Sequence, residues 1–425
     1  MKSADPVLAR AFGVRLALAA TAACCALGLL AAPAQNAGAP LSTSVSTQSV
    51  FLTRCESVGT VANWGLGVTS QPQVFTKEPA TAARKVCRGV LQLAGSADQA
   101  VPFLWDYTQG KLYLDLNRNR NLTDDASGIF SCPLPRFSGY YYQTFTNVQL
   151  SFKTPEGDYP VSVDLSFYNP GSHPTVTAAC RSFWAGRISL QEQDWQVGLV
   201  EGTLNNKLKS TDGTYLLLRP WQAREQVFNT TGGSLETFAF TPNLFLGGRA
   251  YRLTTAFLQR EGGPGYELTF SERPSELGEL RITGKFIERV MLAETRPKQG
   301  RAAYTVILDN PAPTVKIPVG SYNRWQVQLK AGEVEAFRDG FFNGGDQPLV
   351  TVASQGTNVA TLAAGGPLTN LVSLGRRGRF LSLDYRLNGA DGAQYQLARA
   401  DRSKPPGFVI YRNGKVLDSG KFEFG

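Results

Sequence analysis

The amino-acid sequence predicts an all-β protein of two or three antiparallel β units, the last of them a C-terminal β-sandwich. Three observations carry this. Val148, Leu150 and Phe152 alternate with polar residues, Thr154-Pro155-Glu156-Gly157-Asp158 turns the chain, and Val161, Val163, Leu165 and Phe167 alternate back. Period two on both sides of a turn is the signature of a hairpin with one buried and one wet face. Gly and Pro (43 and 24 residues) punctuate the chain too often for long helices. Charged residues make up only 18% of the chain, a composition closer to exported β-proteins than to helical ones.

The N-terminus reads as a targeting segment. Lys2, Arg10 and Arg15 form a basic region ahead of the apolar run Leu16–Leu30, and Ala32-Pro33-Ala34 offers a cleavage site. Residues 1–34 are therefore expected to be a signal peptide, with a mature chain starting at Gln35 that is secreted, periplasmic or held at the cell surface. Acylation of Cys24 or Cys25, as in a lipoprotein, is the rival reading. The run is too short and Ala-rich for a membrane span, and no other segment approaches that length, so no transmembrane anchor is expected. The net charge of +9 falls to about +7 once Lys2, Arg10, Arg15 and Asp5 are removed. It is scattered thinly and leaves no nucleic-acid footprint.

Residues 35–50 are expected to be a flexible leader, 51–185 a first β domain, 186–312 a second, and 313–425 the sandwich. In order, Cys87–Leu93, Val101–Trp105 and Lys111–Leu116 read as strands, followed by the hairpin at 148–167. Arg187–Leu190, Trp195–Val200, Tyr215–Leu218, Tyr251–Leu258, Tyr266–Phe270 and Leu280–Phe286 continue the pattern. After Asn310-Pro311-Ala312-Pro313 come Trp325–Lys330, Leu349–Val352, Phe380–Leu387, Tyr395–Leu397 and Phe408–Arg412. Ala331–Arg338 is the one helical hint. Asn413-Gly414 suits the positive φ of a type I′ turn, and Lys415–Phe424 returns as a last strand expected to bury Val416 and one of Phe422 and Phe424. Four cysteines remain after the signal: Cys55, Cys87, Cys132 and Cys180. An even number in an oxidising compartment predicts two disulfides, with Cys55–Cys87 and Cys132–Cys180 preferred because they close the shorter loops.

The most informative stretch runs from Lys111 to Asp125. Asp115, Asn117, Asn119 and Asn121 present oxygens at every second position, with Asp124 and Asp125 behind them. Calcium takes six to eight such oxygens. The stretch resembles the calcium loops of EF-hands, dockerins and thrombospondin repeats, with their Asp-x-Asn-x-Asn opening and an apolar residue, Leu122, at loop position eight. It departs from them at Arg120, where the EF-hand has its glycine, and at Ala126, where it has Glu; Asp124 or Asp125 must close the loop instead. The resemblance implies a structural, weak calcium site. The alternative is a polar turn with solvated amides. Leu383–Gly389 and Tyr395 resemble immunoglobulin-like or fibronectin-like modules, and the chain as a whole is similar to uncharacterised exported bacterial β-proteins, a likeness that implies no activity.

Chemistry is narrowly bounded. His173 is the only histidine, so a Ser-His-Asp device would have to use it, and no G-x-S-x-G elbow occurs. Asp106, Asp164, Glu192, Asp194 and Glu201 are candidates for a carboxylate pair. Tyr140-Tyr141-Tyr142 cannot all face inward, and with Phe183-Trp184, Trp221 and Phe341-Phe342 they are candidate stacking surfaces for sugars. Gly375-Arg376-Arg377-Gly378-Arg379 reads as a hairpin tip able to touch an acidic polysaccharide. These readings favour a non-catalytic binding or adhesion role, with polysaccharide or other surface proteins as partners. A carboxylate-dependent glycan hydrolase and a structural subunit of a surface assembly are the alternatives.

Overall fold

The structure is a computed structural model and describes residues 46–57, 59–69, 75–80, 86–92, 100–133, 142–168, 174–200, 214–221, 236–294, 297, 300–301, 303–340, 349–354, 359–397 and 405–422. The expected signal peptide, Tyr140, Tyr141, His173, Glu201 and Phe341-Phe342 lie outside these residues.

The chain is all-β. It opens on β1 (Thr47–Glu56), whose first four residues fall in the expected leader. Eight strands follow: β2 (Ala62–Thr69), β3 (Val86–Gln92), β4 (Val101–Asp106), β5 (Lys111–Leu114), β6 (Ile129–Ser131), β7 (Tyr142–Thr154), β8 (Gly157–Tyr168) and β9 (Thr175–Cys180). They form one sheet in the order β6-β5-β4-β3-β2-β9-β8-β7. The alternation read at 148–167 is realised here: Val148, Leu150, Phe152, Val161, Val163, Leu165 and Phe167 are all buried.

Next come β10 (Ser182–Leu190), β11 (Gln193–Val200), β12 (Tyr215–Pro220), β13 (Thr237–Ala239), β14 (Asn243–Leu246), β15 (Arg249–Arg260) and β16 (Gly263–Arg273). The later strands are β17 (Leu277–Thr283), β18 (Ile287–Ala293), β19 (Tyr304–Asp309), β20 (Thr314–Pro318), β21 (Gly320–Tyr322), β22 (Arg324–Ala331), β23 (Val334–Asp339), β24 (Val350–Val352), β25 (Ala360–Ala363), β26 (Thr369–Arg377), β27 (Phe380–Asn388), β28 (Gln394–Leu397), β29 (Gly407–Arg412) and β30 (Lys415–Lys421). Fifteen strands share the largest sheet, ordered β13-β12-β11-β10-β1-β16-β15-β14-β19-β18-β22-β23-β28-β27-β26. The expected boundary at 185/186 falls inside β10, and the one at 312/313 falls in the turn before β20.

This large sheet has to coil. β13 and β14 stand seven places apart in it, yet only Phe240, Thr241 and Pro242 join them. Laid flat, seven strand spacings would cover about 34 Å, whereas four Cα steps reach about 15 Å at most. The coil is pinned by hydrogen bonds. Phe240 N–H donates to Thr214 O beside β12, and Leu253 N–H of β15 donates to Pro242 O. Thr305 Oγ1 of β19 donates to Ala239 O at 2.8 Å.

The eight-stranded sheet lies against the coil and shares one core with it, from Phe103, Trp105 and Phe167 to Leu218, Phe238 and Leu268. Tyr159 of β8 meets Trp184, Phe257 and Tyr266 with ring centroids 5.4, 5.3 and 6.2 Å away. Its hydroxyl accepts from Trp184 Nε1 at 3.0 Å, so this buried polar tip is paired. A second core lies under a three-stranded sheet, β20-β17-β25, where Leu280, Ile282, Ile317 and Leu362 face Val290, Leu292, Val327 and Leu329. Only β20 and β25 of that covering sheet come from 313–425, while β22, β23 and β26–β28 continue the large sheet. An immunoglobulin-like sandwich is therefore not established for this range.

Three expectations are corrected. Ala331–Arg338 is no helix: Gly332-Glu333 turns the chain and β23 pairs back along β22. Val416 is 58% exposed, because among the described residues β29 and β30 pair only with each other, although Asn413-Gly414 takes the expected positive φ (50° and 79°). The disulfides are absent, since no two of Cys55, Cys87, Cys132 and Cys180 lie at bonding distance. Cys132 follows β6 at one edge of the eight-stranded sheet, and Cys180 sits in β9 five places away. That is about 24 Å of sheet, against the ~7 Å between Cα atoms that a disulfide tolerates. Cys55 packs beside Phe183 and Ala185 in a small separate cluster, while Cys87 belongs to the main core.

Burial pushes the Cys55 and Cys132 thiols above their ordinary range, with a backbone bond partly offsetting this at Cys55. A thiol held protonated in the native state contributes stability at lower pH and loses it as pH rises through its native pKa. Unfolded without reductant, the protein should show all four positions open to alkylation, whereas at neutral pH the native protein should react slowly. Mass mapping checks this, and two or more positions locked as disulfides would contradict it.

Candidate functional site

Local sequence chemistry builds the loop that follows β5. Asp115 enters it from the end of the strand, fully buried, and its N–H donates to Pro102 O at 2.9 Å. Its Oδ1 accepts the N–H of Asn119 at 3.1 Å and its Oδ2 that of Arg120 at 3.0 Å. Asp125, also buried, receives the N–H groups of Leu116 and Asn117 on Oδ2 at 3.0 and 3.4 Å. The two carboxylates thus cap the backbone of the curl from within.

Between them run three successive Asx turns, in which a side-chain oxygen takes the N–H two residues on. Asn117, Asn119 and Asn121 accept from Asn119, Asn121 and Thr123 at 3.0, 2.7 and 3.1 Å. The intervening Arg118 and Arg120 take φ of 60° and 66°. Arg120 therefore adopts the left-handed backbone for which the resembled loops use glycine. It does so because Asp115 holds its N–H and Thr76 donates to its carbonyl at 2.9 Å through N–H and 3.0 Å through Oγ1.

The amide ends of the same asparagines converge. Nδ2 of Asn117 donates to Asp124 Oδ1 at 3.3 Å, while those of Asn119 and Asn121 donate to Asp124 Oδ2 at 2.8 and 2.9 Å. Of the six expected ligands, the structure gathers Asn117, Asn119 and Asn121 on Asp124, and turns Asp115 and Asp125 toward the backbone. Among the described residues no three Asp, Glu, Cys or His side chains are placed to hold a metal ion. A cation here would therefore rest on amide oxygens and Asp124. The donor chemistry fits calcium, since rotating each amide by half a turn presents three hard oxygens to the Asp124 carboxylate. Such a rotation breaks the Asx bonds that Asn117, Asn119 and Asn121 accept. Arg118 Nε donates to Ala100 O at 3.3 Å, which leaves its positive charge beside the loop.

The loop is anchored by Leu122, 1% exposed against Phe75, Leu104 and Tyr113 on the outer face of the sheet. Leu122 N–H donates to Lys77 O at 3.1 Å. Gly128 closes the region, where a Cβ would lie 2.2 Å from Leu114 O.

The described acids among those considered for catalysis each serve a local structural contact. Asp106 caps the turn after β4 by accepting from Thr108 and Gln109. Asp164 accepts from Asn147 N–H at a bulge in β7 and faces Arg181 at 3.7 Å. Glu192 sits in a turn at φ 65°, and Asp194 binds Arg187 and Ser189. Phe183 and Trp184 are buried and so offer no stacking surface, whereas Tyr142 is 49% exposed with its ring 6.3 Å from that of Tyr168. Sequence reading missed a polar cleft of about 450 Å³ where β12 coils back against β18 and β19. Arg219, Glu236, Arg289, Asp309 and Lys330 line it, and only the fold brings them together. Compared with family models, curated proteins and solved structures, the chain matches none.

Arg120→Gly should leave stability unchanged or raise it by up to about 1 kcal/mol, because an L-residue in this region pays roughly 1–2 kcal/mol. Arg120→Val should lower it, as a β-branched residue resists positive φ. Urea denaturation ranks the two, and the reverse order would contradict this account of the curl.

Proposed function

We propose that the protein is an exported, calcium-ordered β-protein with a non-catalytic binding or adhesion role at a cell surface or in a matrix. The observation that carries the reading is the convergence of Asn117, Asn119 and Asn121 on Asp124 in a loop already curled by Asp115 and Asp125. Calcium bound there would supply the positive charge that draws amide and carboxylate oxygens onto one point. Its role is to order the loop and the Thr76–Lys77 segment hydrogen-bonded to Arg120 and Leu122.

A non-catalytic role is supported by the occupations of the acids: Asp106, Asp164 and Asp194 each serve a turn, a bulge or an ion pair. The exposed Tyr142 beside Tyr168 supports a glycan as ligand, since aromatic faces stack on sugars. The alternative of a carboxylate-dependent glycan hydrolase would have to use the polar cleft. There Glu236 pairs with Arg219, Asp309 with Arg289 and Glu288 with Lys330.

Calcium at millimolar concentration should raise the melting temperature. Tenfold excess over Kd stabilises by about 1.4 kcal/mol, which is a few degrees for a domain of this size. Asp124→Ala should abolish the rise while leaving the calcium-free melting temperature within a few degrees. An unmoved wild-type melting curve would return the loop to a polar turn.

A further inference from the structure

The hairpin of β26 and β27 projects from the end of the large sheet. Its strands pair over nine rungs, from Thr369–Asn388 to Arg377–Phe380, but β28 joins β27 only at Leu387 and Asn388. Among the described residues the seven outer rungs therefore pair with no third strand, an arm about 24 Å long. Two-stranded ribbons standing alone in water are marginal, so what covers this one matters.

Residues opposite each other across a rung share a face. Val372, Leu374, Leu383 and Tyr385 thus form an apolar face that ends in the Arg376–Leu381 rung, while Arg377 and Phe380 share a rung on the opposite face. Near the base Tyr385 is covered by Phe422, ring centroids 5.3 Å apart. Farther out Leu374 and Leu381 are 49% and 53% exposed, and at the tip Phe380 is 69% exposed. The charges at the tip are all of one sign. Arg376, Arg377 and Arg379 make no ion pair among the described residues, and 369–383 holds no Asp or Glu. Arg376 Nε reaches only Gly378 O at 3.1 Å, and the Arg379 guanidinium lies 5.5 Å over the Phe380 ring.

We propose that this arm docks tip-first on an anionic lipid surface, with the three arginines against the headgroups and Phe380 from one face and Leu381 and Leu374 from the other entering the headgroup–acyl boundary. Cationic and apolar side chains on one small projection match the two layers of such a surface. A second copy of the chain fits poorly, because a two-fold contact at the tip would crowd six arginines together with no acid between them. An acidic polysaccharide would answer the arginines but leave the leucines in water. The proposal concerns a different part of the molecule from the Asp115–Asp125 loop and stands without it.

Sedimentation of the full chain with vesicles tests it. The protein should bind vesicles of phosphatidylglycerol and phosphatidylcholine in equal parts, and bind phosphatidylcholine alone far less. Arg376→Ser, Arg377→Ser and Arg379→Ser together should weaken binding roughly 100-fold, since each basic residue near an anionic surface is worth about fivefold. Phe380→Ser with Leu381→Ser should weaken it at least tenfold. These side chains are exposed, so melting curves of both variants should overlay the wild type. Failure to bind the anionic vesicles, or wild-type binding by either variant, would overturn the proposal. Retention on an acidic polysaccharide without vesicle binding would overturn it equally and assign the arm to that ligand.

Discussion

Three residues, Phe240 to Pro242, constrain the shape of the molecule. They join strands seven places apart in one sheet, and so force the sheet between them to coil. Coiling gives β1, β10–β16 an inside, which Leu52, Trp184, Leu218, Phe238 and Leu268 fill. It also brings β12 and β13 back against β18 and β19, creating the polar cleft and the Thr305 bond to Ala239. The same strands offer their other faces to the second core, so Val290 and Leu292 look one way while Met291 and Ala293 look the other. Both cores thus rest on a single continuous ladder of hydrogen bonds.

Against that rigid body, the Asp115–Asp125 loop is a local construction. Its geometry is written largely by side-chain-to-backbone bonds within eleven residues, and it is attached through Asp115, buried beside Pro102, and through Leu122. Such a segment can be ordered or loosened without disturbing either core, the condition a low-affinity cation site needs if binding is to tighten one region. The projecting hairpin at 369–388 is also peripheral, with its apolar face turned outward and its base tied through Tyr385 and Leu387.

What could be read from the sequence followed how local the cause was. The 148–167 hairpin, the Asn413-Gly414 turn and the Asx-rich loop are set by neighbours in the chain, and each appears in the structure where the residues place it. β18 and β19 escaped notice because they are buried on both faces, so Val290-Met291-Leu292-Ala293 and Val306-Ile307 lack the alternation that betrays a half-wet strand. The expected disulfides failed for a related reason. Loop length says nothing of sheet order, and five strand spacings separate Cys132 from Cys180. The helix expected at 331–338 lost to the register of β22 with β23, which buries Ala336 and Phe337. In the site, the oxygens at 115, 117, 119, 121, 124 and 125 were legible as a set. Their division was not, because it depends on which backbone N–H groups the curl leaves inside: two carboxylates cap the chain and one gathers the amides.

Calcium is proposed to order further this loop, which its own side chains already curl. Hydrogen–deuterium exchange resolved by peptide, with and without millimolar calcium, addresses this ordering most directly. Exchange should slow in calcium only at residues 115–125 and at Thr76–Lys77, which hydrogen-bond to Arg120 and Leu122, with the sheet strands unchanged. Identical exchange across 115–125 in the two conditions would contradict it.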